Sequence, residues 1–182
     1  MSGSRIDFVR VYDVHSRARA KLFDWIRPLT QDEYTREFPF AHRTVRATLH
    51  EIAKTEHWLA MRLRGESMPE PFRWDEIPPD EQAGPTFLEL ERAWRQQAPE
   101  TRATLAALSD PDTPRETVMR GRKRTVTLRA TARDVATQLL LHEVHHRAQA
   151  MAMLRHLGVP AQDVDFIYFV QQEWAEETTS GS

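Results

Sequence analysis

Apolar positions recur every three or four residues along four long stretches of this chain, and that spacing predicts four amphipathic helices. In the first, Val11, Val14, Ala18, Leu22, Trp25 and Leu29 form one stripe. Ser4 stands where a hydroxyl can cap the opening turn, Asp7 lies in that turn, and Pro28 with the polar run Thr30 to Arg36 closes the helix. The second helix is expected from Thr44 to Arg64, with Val45, Leu49, Ile52, Leu59 and Leu63 on one face and Gly65 as its stop. The third spans about 86–108 around Phe87, Leu90, Trp94, Thr101, Leu105 and Leu108, and Pro99 is expected to kink or divide it. The last opens at Thr131, with Asp134 three residues on in a capping-box arrangement, and ends at Gly158 ahead of Val159 and Pro160.

Two segments break this pattern. Residues 65–85 hold five prolines and several acids, which reads as a long loop able to span the length of a helix. The second and third helices therefore need not be antiparallel. Residues 116–130 show two short β-branched runs around Gly121, Arg122 and Lys123, the pattern of a small β-hairpin. A short aromatic segment, DVDFIYFVQQEW, follows the last helix and is expected to pack back on the bundle. The expected fold is all-α: one domain over residues 1–182, a four-helix bundle with a long crossover between helices 2 and 3 and a hairpin before helix 4.

Composition narrows the function classes. The 182 residues are 40% apolar and 29% charged, as in ordinary globular domains. A formal charge of -2 and a pI near 6.5 give no general attraction for nucleic acid or an anionic membrane. No stretch approaches the roughly 18 uninterrupted apolar residues of a spanning helix. The N-terminal segment lacks a basic-then-apolar leader pattern, and with no cysteine in the chain a cytoplasmic location is expected. The absence of cysteine also excludes a thiolate ligand or nucleophile from the chain itself.

The chemistry concentrates in the last helix. Its core stripe is expected to read Val135, Leu139, His142, His146, Met153, Leu157, which places two histidines where apolar residues belong. Burying an imidazole costs free energy unless its nitrogens find partners. Four residues apart, His142 and His146 are separated by about 6 Å of rise and about 40° of turn, so their nitrogens can converge on one metal ion. His145 is expected nearer the surface, with a His142/His145 pair as the geometric alternative. A catalytic site of this kind usually takes three protein ligands and leaves a position open. His50 and His57 on the second helix are both candidates for the third, and periodicity does not choose between them.

The string HEVHH also satisfies the H-E-x-x-H pattern of zinc peptidases. The longer form of that motif, H-E-x-x-H-x-x-G-x-x-H, fails here, because Gln149 and Ala152 stand where the glycine and third histidine should be. A peptidase also generally needs a sheet edge to hold an extended substrate, and one hairpin is little to offer. Glu143 sits about 80° off the midline of the two histidines by helical turn. It reads either as a general base beside the ion or as half of an exposed pair with Arg147.

The segment HEVHHRAQAMAMLRHLGVPAQDVDF resembles the last bundle helix of the DinB/YfiT-like family, with its H-x-x-x-H-R-x-Q core and L-R-x-L-G ending. LHEIAKTEHWLAMRL is similar to that family's second helix, where a histidine precedes an apolar-acidic run and a Trp-Leu pair. The likeness extends over essentially the whole chain. It implies a four-helix bundle whose metal triad falls on His50, His142 and His146. It also implies membership of a group that includes metal-dependent thiol S-transferases and isomerases, alongside hydrolases, and a tendency to form homodimers. Its metal-dependent members suggest a divalent ion, and three imidazoles suit zinc, nickel or iron. In a chain without cysteine the sulfur of such chemistry has to come from a low-molecular-weight thiol cofactor. The same electrostatics can activate water, so hydrolysis of a small-molecule substrate stands as the alternative. A bundle that keeps its metal for structure alone is the third.

Other signals are weaker in specificity. Gln149, two turns beyond His142, is a candidate to bond a ligand or a neighbouring imidazole. Arg120, Arg122, Lys123, Arg124 and Arg129 make the hairpin the most basic stretch. Arg122 and Arg124 are candidates to grip an acidic group on a thiol cofactor, against the plainer reading of a solvated tip. Trp58, Trp74 and Trp94 read as core or loop anchors.

Overall fold

The computed structural model describes residues 6–66, 86–120 and 125–170, and its secondary structure is mostly helical. The first helix, α1 (Phe8–Ile26), is capped by Asp7, whose side chain accepts the backbone N–H of Arg10 at 2.9 Å. The cap is thus Asp7 and not Ser4, which lies outside the described residues. The polar run after Pro28 is not all irregular. Thr30 and Glu33 form a reciprocal capping box that starts one helical turn, α2 (Gln31–Tyr34).

Helix α3 (Val45–Arg64) runs from its Thr44 cap to Gly65, whose φ of 74° is a left-handed conformation that glycine adopts without Cβ strain. The proline-rich stretch after it lies outside the described residues. Helix α4 (Phe87–Ala106) opens on a Thr86–Glu89 capping box and continues through Pro99. The proline does not divide it. Trp94 before it and Thr101 and Leu105 after it are all buried, so packing on both sides outweighs one missing backbone donor. Strands β1 (Pro114–Arg120) and β2 (Thr125–Thr131) pair antiparallel, with Thr117 opposite Leu128 and Arg120 opposite Thr125. Helix α5 (Ala132–His156) starts from the Thr131–Asp134 capping box, and a short helix, α6 (Phe166–Val170), follows it. Among the described residues no helix is long and apolar enough to cross a membrane.

The four long helices are neighbours in the cyclic order α1, α5, α3, α4, and α6 lies on α1. One cluster of the core gathers Leu22, Ile26, Leu49, Ile52, Trp94, Met153 and Leu154; the other holds Tyr12, Leu63, Leu105, Val135 and Leu139. Of the stripe expected on α1, Val14, Ala18 and Leu22 are buried and Trp25 and Leu29 are partly so.

Helix α5 departs from its expected register. Its buried face passes through Val135, Leu139, Glu143, Arg147, Ala150 and Leu154, while His142 and His146 are half-buried at its margin. The turn of the helix explains this: Glu143 lies about 100° from His142, and it is Glu143 that points inward. The Glu143–Arg147 pair is therefore buried and not exposed, with Arg147 Nη1 at 3.1 Å from Glu143 Oε1. A third charge from α1 makes that tolerable. The Arg19 guanidinium reaches Glu143 at 2.5 Å and Glu56 of α3 at 2.8 Å, and it lies 4.1 Å from the ring centroid of Trp94 of α4. Tyr12 Oη donates to Glu56 at 2.7 Å and Trp94 Nε1 donates to it at 2.9 Å.

Two arginines and two glutamates from α1, α3 and α5 thus balance at the centre, with Trp94 of α4 against them. Burial works against the Arg19 charge, but Glu143 and Glu56 outweigh it and hold the guanidinium protonated. Burial likewise works against ionised Glu143, and Arg19 and Arg147 outweigh it, so its carboxyl titrates below the usual range.

Breaking one partner of such a buried set leaves an uncompensated charge. Glu143→Gln is expected to destabilise the fold by about 3–5 kcal/mol at pH 7. Because the folded carboxyl is depressed, this contribution is present above the unfolded pKa of about 4.3 and lost as pH falls through the folded value. Denaturant unfolding at pH 7 and pH 3.5 checks this: the gap between the two proteins should narrow in acid.

Candidate metal centre

One turn of α5 carries three imidazoles outside the buried face. The His142 and His146 rings lie 4.4 Å apart between centroids, and His145 stands 4.8 Å from His146. Gln149, one turn on, links two of them. His146 Nδ1 is 2.7 Å from Gln149 Oε1, and Gln149 Nε2 is 2.9 Å from His145 Nε2. A carboxamide oxygen only accepts, so His146 Nδ1–H is the donor and Nε2 of His146 keeps its lone pair. The same amide donates to His145 Nε2, which sets the Nδ1–H tautomer there as well. Of the alternatives for Gln149, bonding to a neighbouring imidazole is what the geometry displays.

The facing helix contributes a carboxylate. Glu51 Oε1 lies 3.9 Å from His142 Nε2, and the same side chain takes Lys54 Nζ at 2.6 Å and the Thr55 hydroxyl at 3.0 Å. Burial tends to raise the Glu51 pKa, but Lys54 and Thr55 bring it below the ordinary carboxylate value, so it is ionised at neutral pH. His142 is the reverse case. Burial first, then the neighbouring His146, push its pKa down to about 4, and its ring is neutral with one nitrogen lone pair available. Among the described residues the His142 side chain has no hydrogen-bond partner within 3.5 Å.

The structure brings His142 and His146 together but does not bring His50 to them. His50 is exposed on α3, and the charges that act on it are Lys54, Glu51 and Arg46. One residue is about 100° of helical turn. The face of α3 that meets α5 carries Thr48, whose hydroxyl contacts Met153, and Glu51; His50 is turned away from it. His57 is exposed as well, with its ring 6.0 Å from Trp58. His42, from the turn before α3, was not singled out by its sequence position, yet its ring is 4.9 Å from His146.

Glu143, the glutamate of the H-E-x-x-H string, has its carboxylate bound by Arg19 and Arg147 in the core and is not available to the histidines as a base. Trp94 is a core residue, and Trp74, Arg122 and Arg124 lie outside the described residues.

As they stand, no three His, Asp or Glu side chains among the described residues are arranged to hold a metal ion. The donor types nevertheless suit a divalent cation: a neutral unpartnered imidazole, a second whose tautomer is set by an outer amide, and an ionised carboxylate beside the first.

The model of the DinB family matches residues 1–179. No curated protein shows significant similarity to the chain.

The His142 pKa is directly testable. In metal-free protein its ring should titrate near pH 4 by heteronuclear NMR, remaining neutral above that. A midpoint at the ordinary value of 6.5 contradicts this environment.

Proposed function

The chain belongs to the DinB family, and from that premise we propose that it is a divalent-metal enzyme built on a four-helix bundle, transferring a low-molecular-weight thiol to a small electrophile. The observation that carries the reading is the His142–His146 pair, its lone pairs set by burial and by Gln149, across from the Glu51 carboxylate. His142, His146 and Glu51 would hold the ion. His50 enters through the family resemblance, whereas the packing of α3 on α5 favours its neighbour Glu51. Two imidazoles and a carboxylate suit zinc, iron or nickel. An ion with an open position makes a thiol or water there easier to deprotonate.

The chain's own groups divide the work. Gln149 orients His146, and burial keeps His142 unprotonated. With no cysteine in the sequence, the nucleophilic sulfur belongs to a cofactor. Peptide hydrolysis by an H-E-x-x-H mechanism is disfavoured by one specific observation, the capture of Glu143 by two arginines. Hydrolysis of a small substrate by a base other than Glu143 stays as the second reading, since the donor set serves a thiol and a water alike.

Three measurements test the proposal. Glu51→Ala is expected to weaken zinc binding by calorimetry while His50→Ala leaves it near wild type; the reverse order restores the triad implied by the resemblance. Gln149→Leu should cost roughly 10- to 100-fold in zinc affinity, the usual penalty for losing an outer partner of a ligating histidine. A screen of thiol cofactors against electrophilic substrates, run beside a peptidase assay, should give thiol consumption without peptide cleavage. Zinc-dependent peptide cleavage by the wild-type protein overturns the assignment.

A further inference from the structure

The turn between α2 and α3 is built in an unusual way. Ala41 and Arg43 both adopt left-handed backbone, with φ of 51° and 67°, although neither is glycine. Such conformations strain residues that carry a Cβ and persist where surrounding structure enforces them. Here the enforcing contacts are visible. Phe38 N–H donates to the Arg43 carbonyl at 2.6 Å, Arg43 N–H to that of Phe40 at 3.0 Å, and Thr44 N–H to that of His42 at 2.8 Å. Arg43 also pairs with Glu37 at 2.5 Å.

Two aromatic residues fasten this turn to α5. Phe38 is buried, and the Phe38 and Phe40 rings lie 6.0 and 5.8 Å from that of His156. Between the two strained residues sits His42, its ring 4.9 Å from His146. The turn is thus anchored near one end of α5 and delivers an imidazole about three helical turns back along it. Among the described residues the His42 side chain has no hydrogen-bond partner, so it resembles His142 and not the amide-linked His145 and His146. A tilted contact between two imidazoles alone gives little reason to hold two residues in left-handed backbone.

We propose that His42 is a metal-ligating residue, which makes the donor set His42, His142 and His146 with the Glu51 carboxylate. This inference rests on the metal centre proposed above and enlarges it. Three imidazoles and one carboxylate select a borderline first-row cation over magnesium or calcium, which prefer oxygen. Four protein donors fill a tetrahedral ion, whereas a five- or six-coordinate ion keeps a position for substrate.

The test titrates cobalt(II), a spectroscopic probe, into tag-free full-length protein and into His42→Ala and His142→Ala, with circular dichroism confirming that each is folded. Wild type is expected to bind cobalt stoichiometrically. His42→Ala should lose at least the roughly 10-fold seen when even an outer partner is removed, and should shift the visible absorption bands. Wild-type affinity and an unchanged spectrum in His42→Ala, with binding lost in His142→Ala, overturn the role of His42 and leave the centre intact. No cobalt binding by wild type overturns both.

Discussion

The Arg19 guanidinium is the contact on which the arrangement of the helices turns. It joins Glu143 of α5 to Glu56 of α3 and lies over Trp94 of α4, so one side chain from α1 fixes the rotation of its three neighbours. A buried charge set of this kind is weak as a source of net stability, because desolvation consumes most of its attraction. Its effect here is geometric. With Glu143 and Arg147 committed to the centre, α5 cannot turn His142 and His146 into the core, and they stand at its edge facing α3.

That rotation sets up the proposed centre. At the margin of the core His142 is desolvated enough to stay neutral, yet the pair it forms with His146 is open enough for an ion to reach. The residues around them divide into those that set protonation and those that supply donors. Gln149 assigns tautomers to two rings at once, and Lys54 and Thr55 hold the Glu51 carboxylate ionised opposite His142. Glu143 and Arg147, adjacent in sequence to the histidines, belong to the other face and serve the fold.

Much of the fold was legible because helix ends announce themselves chemically. Thr44, Thr131 and Gly65 fall where capping rules place them, and the apolar stripes of α3 and α4 recur in the buried residues. The face of α5 was not legible, since Glu143 and Arg147 read as solvated charges until Arg19, 124 positions before Glu143, is seen beside them. The choice between His50 and Glu51 was hidden for a related reason. Both lie outside the apolar stripe of α3, the family resemblance points to the imidazole, and the packing against α5 leaves Glu51, one helical step on, beside His142. His42 carried no periodic signal at all, because it sits in a turn whose backbone conformation no local pattern specifies.

Crystals grown with zinc and measured on both sides of its absorption edge test most directly for an ion held between α3 and α5. An anomalous peak bonded by His142, His146 and Glu51, at the roughly 2.0–2.2 Å of zinc–nitrogen and zinc–oxygen bonds, is the expected result. A peak held by His50, or a fully occupied zinc elsewhere with none beside His142, contradicts it.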